Sequence, residues 1–472
     1  MKISGSTAGF RLLKLLHLAG YAVYLGGIAL ARLVPLTLVF LLGKSLGALA
    51  YYLLRKRRLL AESNMRAALG ISGAEARRLA RRHFMVLGAN LLSMLKIPTM
   101  SDARIWRHVT FDIVPKISDA AEGKGWVAVL SHMSNWELLG RLTKLFPQYR
   151  FGAIYQKLAN GHVNRHFNNN RARMGVTLFD RREEFWSSVA FLESGGVVGV
   201  LADQYAGVSG TWMPFFGRLT STSTLAAAMA HRVGVELVPV TINTTGVARW
   251  HVSVGNPLAK GTTPEIATAA INRELETQII ASPADWLWSH DRWKTPRFGF
   301  LLTVSQRRVF FPPGFNRSKL APFRILVRSV DDPAEAEITV PAVRAIRRGR
   351  PDAHVTVVAC ERLAEFWKAV EEADEVVSFL PGETARAVAR KIAAAGRFDA
   401  GILLPAARRA AVEMFLAGVP RRLGPPNRFL LNTWWNPPGM HDPDAAGAER
   451  YHRIAGTAGA AMSDVLTRKE NA

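Results

Sequence analysis

Cysteine and acidic residues are scarce in this sequence. Its 472 residues include one cysteine, Cys360, which excludes an internal disulfide framework and any metal site built from several cysteines. Asp and Glu number 37 against 61 Lys and Arg, so the formal net charge is +24. Because hydrophobic residues make up 49% of the chain, an intrinsically disordered basic protein is excluded as well. The length suggests about three domains, or two domains with a membrane anchor.

Charge is almost absent near the N-terminus, where residues 15–43 carry a single charged side chain, Arg32. A membrane span needs about 20 mainly apolar residues. We therefore predict a membrane anchor over residues 1–55, either one tilted span or a helix that breaks near Pro35. The basic residues 55–58 follow and predict, by the positive-inside rule, that the remainder lies in the cytoplasm. A cleaved signal peptide and a buried N-terminal helix are the alternatives.

The excess of Lys and Arg is typical of proteins that bind nucleic acid or anionic lipid. Here the basic residues are spread along the chain, and no groove-reading motif accompanies them. Beside an apolar anchor, positive charge favours contact with anionic lipid headgroups, and it would equally attract an acidic soluble partner. We expect a membrane surface as a partner and no nucleic acid.

Short apolar runs alternate with helical patterns along the middle of the chain. The Arg-rich segment 56–125 is predicted to be helical. Beyond it, three runs rich in Val and Leu are typical of buried strands, at residues 126–130, 197–201 and 235–240. Strands that alternate with helices indicate an α/β fold, so we predict an α/β domain over residues 56–310 with a central, mostly parallel sheet.

The same pattern starts a second time after the turn-rich residues 310–316. Strand-like runs recur at residues 324–327, 355–359 and 400–404, with a helical pattern between the first two. We predict a second, Rossmann-like α/β domain over residues 320–472.

The strongest candidate for chemistry is the segment 131–137, Ser-His-Met-Ser-Asn-Trp-Glu, at the end of the first predicted strand. Five residues turn ~500° on an α-helix, so His132 and Glu137 meet only if the histidine lies on the strand-to-helix turn and the glutamate in the first helical turn. There Glu137 would fix the imidazole tautomer and raise its basicity, so that His132 could accept a proton from a hydroxyl. Taken alone, this spacing is weak, and a structural histidine beside a solvated glutamate is the alternative.

Several ordered motifs accompany this segment. They are Arg57-Arg58 with Asn64-Met65, Leu-Ala-Asp-Gln at 201–204, Met-Pro-Phe-Phe-Gly at 213–217 and the tryptophan-rich stretch 286–294. Together with His-x4-Glu behind an apolar N-terminus, they resemble the late lipid A acyltransferases of Gram-negative bacteria, within the lysophospholipid acyltransferase superfamily. The resemblance runs from residue 20 to residue 296.

This resemblance implies transfer of a fatty acyl chain from an acyl-carrier-protein thioester to a hydroxyl of a lipid A precursor or a related glycolipid. His132 would be the general base and Glu137 its partner, and no cofactor or metal would be needed because the thioester already carries the activation. Six further residues are implied to bind substrate or shape the site: Asn135, Asn160, Arg171, Arg173, Asp203 and Gln204. For Asp203 the alternative is a turn residue at a strand end, and for the two arginines a solvated helix face. The enzyme would lie at the inner membrane, with its catalytic domain on the cytoplasmic side.

Three positions depart from the pattern of that family. Gln156 stands where the family commonly has Arg, Tyr205 replaces the second acid of an Asp-Gln-Asp motif, and Asp291 replaces the first Arg of the closing motif. Each change removes or reverses charge near the expected acceptor or donor headgroup. The changes leave the identity of the acceptor open, and a lipid less phosphorylated than lipid A is one interpretation.

The second half of the chain, residues 323–460, resembles the N-terminal domain of heptosyltransferase-like glycosyltransferases of family 9. The resemblance lies mainly in residues 325–329 and 416–424. The turn after the first strand, residues 330–335, lacks the glycine of that family, and the chain ends where the nucleotide-sugar-binding domain would begin. We therefore expect a non-catalytic module that binds glycan or docks a partner. For the chain as a whole, the alternatives to acyl transfer are a glycosyltransferase component, with Asp332 as its base, and a non-catalytic scaffold that binds lipid or glycan.

Overall fold

The computed structural model describes most of the chain. The described residues are 7–112, 120, 122–207, 209–258, 260–295, 301–302, 308–405, 407–424, 451 and 455. Side chains are described from residue 13 onward. The resemblance to glycosyltransferases extends to residue 460. Beyond residue 424, the described residues in this part are 451 and 455, and the remainder lies outside the described residues.

The described chain begins with helices. They are α1 (Thr7–Leu33), α2 (Leu36–Leu53), α3 (Arg55–Leu69), α4 (Gly73–Lys96) and α5 (Asp102–Trp106). The stretches Leu13–Leu33 and Leu36–Leu53 are long and apolar enough to cross a membrane. Pro35 separates α1 from α2, because proline has no N–H to continue a helical ladder. A break near Pro35, which was one of the two alternatives for residues 1–55, is thus present.

Helix α2 packs closely on α4 through glycines. A Cβ atom on Gly43 would lie 2.6 Å from the carbonyl oxygen of Gly88, and one on Gly47 would meet the backbone of Phe84 at still closer range. Glycines four residues apart allow two helix backbones to approach in this way. The apolar N-terminal segment is thereby held against a helix that leads into the α/β unit.

Nine strands follow among the described residues of the N-terminal α/β unit. They are β1 (Val109–Asp112), β2 (Trp126–Leu130), β3 (Phe151–Tyr155), β4 (Val176–Asp180), β5 (Val197–Leu201), β6 (Thr211–Phe215), β7 (Arg218–Thr222), β8 (Leu237–Gly246) and β9 (Arg249–Val254). All but β6 and β7 form one seven-stranded sheet in the order β1–β9–β8–β2–β5–β3–β4. Neighbouring strands are parallel except for the β8–β9 pair, which confirms the predicted mostly parallel sheet.

Helices cover both faces of this sheet. They are α6 (Leu142–Leu145), α7 (Gly161–Arg173), α8 (Phe185–Glu193), α9 (Leu225–Val233) and α10 (Pro264–Ala281). Successive residues of β2 point to opposite faces: Val127 and Val129 enter one hydrophobic core, and Trp126 and Ala128 enter another. Because both faces of the sheet are buried, the sequences of its parallel strands are continuous apolar runs.

One element differs from the sequence-based expectation. The segment 56–125 was expected to be helical, but Val109–Asp112 forms the edge strand β1 and pairs in parallel with β9. The residues Val-Thr-Phe favour an extended backbone, and Val109 is buried in a hydrophobic core to which Trp106 and Trp250 also belong. This tertiary packing outweighs the helical pattern of the preceding residues.

The C-terminal unit, residues 323–424, contains a second sheet. Its strands are β10 (Phe323–Arg328), β11 (Ala353–Cys360), β12 (Glu375–Phe379), β13 (Ala400–Leu403) and β14 (Arg422–Leu423). Its helices are α11 (Pro333–Arg348), α12 (Ala364–Lys368), α13 (Ala385–Ala394) and α14 (Arg408–Leu416). The strand order is β12–β11–β10–β13–β14, and every pair is parallel, as predicted for a Rossmann-like fold.

Candidate active site

Two neighbouring strands bring a histidine and an aspartate to one edge of the central sheet. Strands β2 and β5 run parallel, and their last paired residues are Leu130 and Leu201. His132 and Asp203 each follow that pair by two residues, so both emerge side by side at the carboxyl end of the sheet. Open α/β sheets bind their ligands beyond this edge.

His132 and Asp203 form a hydrogen-bonded pair. The Nδ1–H of His132 donates to Asp203 Oδ1 over 2.7 Å, and the backbone N–H of His132 donates to Asp203 Oδ2 over 2.8 Å. The indole N–H of Trp286 donates to the same Oδ2 over 2.8 Å. Three donors therefore hold a carboxylate that is almost completely buried, and the carboxylate holds the imidazole in one orientation.

This pairing shifts the pKa of both partners. Burial favours the neutral form of Asp203, but the charge of His132 and the hydrogen bonds outweigh burial and bring the pKa of Asp203 to about 2. Burial also lowers the pKa of His132, yet the charge and hydrogen bond of Asp203, with the charge of Glu137, leave that pKa raised above its ordinary value of 6.5. His132 therefore holds its proton more tightly than an ordinary histidine does.

The second imidazole nitrogen of His132 faces Gln204. The Gln204 Nε2 donates to His132 Nε2 over 3.3 Å, and Trp136 packs edge-on against the imidazole with ring centroids 5.2 Å apart. The His132 side chain is 15% exposed. With the proton on Nδ1, the lone pair lies on Nε2, so Nε2 is the nitrogen that can accept a proton from a substrate hydroxyl.

Glu137 does not hold the imidazole of His132, contrary to the expectation from the spacing. Its carboxylate forms a two-point ion pair with Arg171, whose Nη2 and Nε donate over 2.6 and 3.1 Å. Ser134 adopts a left-handed backbone with φ 49°, and the chain then enters the 3-10 turn Trp136–Arg141. This turn carries Glu137 toward α7, so that Glu137 acts on His132 through its charge.

The other residues implied by the resemblance have different surroundings. Asn135 is fully buried, and no described residue bonds its side-chain amide. Asn160 caps α7 by accepting from His162 N over 3.0 Å, and its Nδ2 donates over 2.8 Å to the carbonyl of His17 in α1. Asn160 thus joins two helices instead of facing His132, and Arg173 is exposed at the end of α7.

His290 was not among the candidate site residues. Its Nε2 accepts from the backbone N–H of Tyr205 over 3.1 Å, directly beside Gln204. Burial lowers the pKa of His290 to about 4 in spite of the nearby charge of Asp203, so His290 is neutral at pH 7. Its position in the tryptophan-rich stretch 286–294 was the signal that could have identified it.

Arg292, in the same stretch, fixes the hairpin β6–β7 and was also missed. This side chain is completely buried. Its Nη1 donates over 3.0 Å to Thr220 Oγ1 and over 2.7 Å to the carbonyl of Ser221, and its Nη2 donates over 2.8 Å to Thr222 Oγ1. Strand β7 therefore has a fixed position relative to His290 and the His132–Asp203 pair.

Helix α3, which begins with the basic residues 55–58, also contacts the tryptophan-rich stretch 286–294. Asn64 Nδ2 donates over 3.0 Å to each of the carbonyls of Trp288 and His290, and Arg57 Nη1 donates over 3.2 Å to the carbonyl of Ser289. The arrangement offers acid–base chemistry beside a cationic segment. Within the part of the chain that the structure describes, no group of three His, Cys, Asp or Glu side chains could hold a metal ion.

Comparison with known proteins identifies the class to which this fold and site belong. The family described as bacterial lipid A biosynthesis acyltransferase matches residues 10–295, which is more than half of the chain. The chain therefore belongs to that family, and the predicted acyltransferase resemblance is confirmed.

Two curated relatives support the same assignment. The chain is similar to the lipid A biosynthesis palmitoleoyltransferase of Escherichia coli (strain K12) and to the lipid A biosynthesis acyltransferase of Shigella flexneri. Each is 25% identical over 271 residues, which cover 56% of this chain and 88% of the relative. The protein is an acyltransferase of the lipid A biosynthesis type.

Two solved structures of glycosyltransferases show partial similarity to this chain. A glycosyl transferase family 9 structure from Veillonella parvula DSM 2008 aligns with 20% identity and a TM-score of 0.28, over 30% of this chain and 42% of that chain. The E. coli ADP-heptose lps heptosyltransferase II aligns with 22% identity and a TM-score of 0.25, over 29% and 41%. This chain thus spans less than half the length of either glycosyltransferase.

Proposed function

We propose that this protein transfers a fatty acyl chain from an acyl-carrier-protein thioester to a hydroxyl of a lipid A precursor or a related glycolipid. The observation that carries the proposal is the His132–Asp203 pair at the open edge of the sheet. Asp203 fixes the proton on Nδ1 of the imidazole, so Nε2 carries the lone pair, which accepts from Gln204 in the structure and would accept the proton of the acceptor hydroxyl during the reaction. Membership of the lipid A biosynthesis acyltransferase family supports acyl transfer as the class of reaction.

The reaction follows from this geometry. His132 Nε2 takes the proton of the acceptor hydroxyl while the hydroxyl oxygen attacks the thioester carbonyl carbon, a contribution of about 10²–10⁴-fold for a positioned general base. The tetrahedral intermediate collapses, the carbon–sulfur bond breaks and the ester forms. His132 then returns the proton to the departing thiolate. The carboxylate of Asp203 stabilises the imidazolium that exists between the two proton transfers.

Glu137 and Arg171 are proposed to support the transfer without taking part in the proton transfers. Their two-point ion pair is partly buried, with side-chain exposures of 18% and 25%. The charge of Glu137 raises the pKa of His132, and the guanidinium of Arg171 is held where an anionic group of the acyl donor could approach. We assign Glu137 a positioning role and Arg171 a donor-binding role.

We place the enzyme at the inner membrane, with the catalytic site on the cytoplasmic side. Two apolar helices and the basic segment 55–58 support this placement. An acyl carrier protein is acidic, so the net charge of +24 would favour the encounter with the donor. The corresponding domains are an anchor over residues 1–55, an acyltransferase domain over 56–310 and a glycosyltransferase-like domain over 320–472.

The glycosyltransferase-like domain is proposed to be non-catalytic. Asp332, the candidate base, accepts from the backbone N–H of Glu335 over 2.9 Å and so caps α11. This helix-capping bond favours a structural role for Asp332 over glycosyl transfer.

The test uses full-length protein in detergent with an acyl carrier protein that carries a radiolabelled acyl chain, and lipid A precursor as the acceptor. His132→Ala is compared with His231→Ala, which alters an exposed histidine on α9. We expect His132→Ala to abolish transfer of label and His231→Ala to keep it. Equal transfer by both variants would overturn the assignment of His132 as general base.

A further inference from the structure

One face of helix α2 packs on the acyltransferase unit along the whole helix. Leu36 and Phe40 are buried in the hydrophobic core that contains Trp250 of β9. The rings of Phe40 and Trp250 meet edge-on, with centroids 6.1 Å apart. In the last turn of α2, Tyr51 is buried in the core to which Val129 of β2 belongs. From Leu36 to Tyr51, α2 therefore lies on the α/β unit over about 22 Å, at 1.5 Å per residue.

Helix α4, on which α2 packs, is itself bonded to the sheet. Asn90 of α4 donates from Nδ2 over 3.0 Å to Thr244 Oγ1 of β8, and its Oδ1 accepts over 2.8 Å from the indole N–H of Trp250. Gly88, two residues before Asn90, is the residue whose backbone meets Gly43 of α2. These contacts fix α4, and α2 with it, on the seven-stranded sheet.

Helix α1 is also held along the unit. Tyr21 stacks on His162 of α7 with ring centroids 5.5 Å apart, and Tyr24 stacks on Phe167 of α7 with centroids 5.8 Å apart. Near the end of α1, the carbonyl of Arg32 accepts over 2.7 Å from the ammonium group of the last residue of α4. Contacts with α7 and α4 therefore follow α1 from its middle to its last turn.

The composition of α7 limits where α1 can lie relative to a bilayer. The 13 residues of α7 include four Asn and three Arg, and one of them, Arg171, belongs to the candidate active site. Such side chains are strongly disfavoured in the hydrocarbon core. If α1 crossed the membrane, α7 would enter the hydrocarbon beside it. If α2 crossed, it would carry α4 and an open sheet with it, and open sheets do not occur in contact with lipid.

The face of α2 that points away from the unit is a row of leucines. They recur every three or four residues, are between 49 and 70% exposed, and are Leu38, Leu42, Leu46, Leu49 and Leu53. This spacing places them on one side of the helix, and we call them the leucine face. Exposed apolar side chains continue on α1, at Leu15, Val23 and Leu30. Aligned, exposed apolar side chains of this kind mark an interaction surface.

Cations lie at both ends of the leucine face. Arg32 precedes α2, and Arg55 and Lys56 follow it, and all three side chains are exposed. The polar Ser45, on the exposed side of α2, donates its hydroxyl to the carbonyl of Leu41 over 3.2 Å. An apolar helix face with basic residues at its borders is typical of helices that lie in the plane of an anionic membrane.

We propose that α1 and α2 form a monotopic membrane-contact surface, in which the leucine face enters one leaflet of an anionic bilayer and neither helix crosses it. By length and composition alone each helix could cross, but the contacts above hold both of them along the α/β unit. The leaflet matches this surface because its acyl chains accept the leucines and its headgroups attract the flanking cations. The proposal concerns the mode of membrane attachment, so it does not depend on acyl transfer.

The test measures the depth of the leucine face in vesicles of phosphatidylethanolamine and phosphatidylglycerol. The full-length protein carries Cys360→Ser, which removes its one cysteine. Leu38→Cys, Leu46→Cys and Leu53→Cys are then made singly and labelled with a bimane fluorophore. Nitroxide groups at two depths in the lipid quench the label and give its distance from the bilayer centre. Leu380→Cys, at an exposed leucine of the C-terminal unit, is the matched control, and thermal unfolding in detergent shows that each variant folds.

We expect the three labels on α2 to lie just below the headgroups, within about 5 Å of one another in depth, and the control label to escape quenching. A crossing helix would instead place Leu46 near the bilayer centre, with Leu38 and Leu53 about 10–12 Å farther out. That profile would overturn the proposal. Quenching on α2 as weak as at Leu380 would overturn it as well, because the leucine face would then be covered by something other than lipid.

A second measurement tests on which side of the membrane the junction of α1 and α2 lies. Arg32→Cys and Leu380→Cys, each with Cys360→Ser, are treated with a membrane-impermeant maleimide in spheroplasts and in inverted inner-membrane vesicles. We expect both to react in the same preparation, since the proposal keeps the junction on the side of the α/β units. Reaction of Arg32→Cys in the opposite preparation would place the junction across the membrane and refute the proposal. Absence of acyl transfer by protein with the expected depths and sidedness would refute the proposed function alone.

Discussion

Replacement of Asp203 by asparagine perturbs the proposed base with little change in shape. Oδ2 of Asp203 accepts from two donors, the His132 backbone N–H and the Trp286 indole, whereas Oδ1 accepts from His132 Nδ1 alone. An amide has one oxygen, and the two donors favour that oxygen at the Oδ2 position. The amide nitrogen then faces Nδ1 and donates to it, which moves the imidazole proton to Nε2.

The expected loss of activity in Asp203→Asn is large because Nε2 then carries the imidazole proton and has no lone pair with which to accept the proton of the acceptor hydroxyl. A positioned general base contributes about 10²–10⁴-fold, and the wrong imidazole tautomer forfeits most of this, so kcat should fall about 10³-fold. The pH profile should change as well. Transfer needs unprotonated His132, so activity of the unaltered protein rises with pH through a His132 pKa that Asp203 holds above 6.5. Without that charge, the rise of the residual activity moves to lower pH.

The assay is the initial rate of labelled acyl transfer between pH 5 and 9, with Asp112→Asn as the matched control. Asp112 forms a comparable pair with His251, 2.9 Å from Oδ2 to Nε2, but its side chain is 68% exposed. Asp112→Asn should keep the full rate and the same profile. A kcat of Asp203→Asn within threefold of the control, with an unshifted profile, would refute the role given to Asp203.

Two further substitutions test the positioning pair and the helix packing. Glu137→Gln breaks the two-point ion pair with Arg171 and removes a charge that supports His132, so kcat/KM should fall about tenfold, far less than for Asp203→Asn, in the same transfer assay. Gly47→Val introduces a side chain into the backbone contact between α2 and α4, so thermal unfolding in detergent should show a destabilisation of about 1–3 kcal/mol.

Each of these substitutions has a contrary outcome. A loss for Glu137→Gln as large as that for Asp203→Asn would make Glu137 the orienting carboxylate, with exposed Glu122→Gln as the control for charge. For the helix pair the control is Gly26→Val in α1, because no heavy atom lies within 4 Å of a Cβ built on Gly26. Equal unfolding temperatures for Gly47→Val and Gly26→Val would contradict the close packing of α2 on α4.

Features that depend on residues close together in the sequence could be predicted. Apolar runs identify β2 and β5, since strands buried on both faces contain few polar residues, and the proline at position 35 marks the end of α1. Residues after such runs, His132 and Asp203 among them, could be expected at the carboxyl edge of the sheet. The edge strand β1 was missed because four residues beside a long helical pattern carry little periodicity.

The partner of His132 could not be derived from spacing. Glu137 is near in sequence, whereas Asp203 becomes a neighbour only through the pairing of β2 with β5. Local sequence patterns predict helices, strands and candidate catalytic side chains. The pairing of strands that are distant in sequence decides which of those side chains meet.

Mass spectrometry of the acceptor lipid tests acyl transfer most directly. The full-length protein is incubated with a single acyl carrier protein species and lipid A precursor, and the lipid is analysed before and after mild alkali. We expect a product heavier by one acyl group, less the hydroxyl hydrogen that this group replaces, which alkali returns to the starting mass and which His132→Ala does not form. An unchanged lipid mass, or a gain equal to a sugar residue, would contradict acyl transfer.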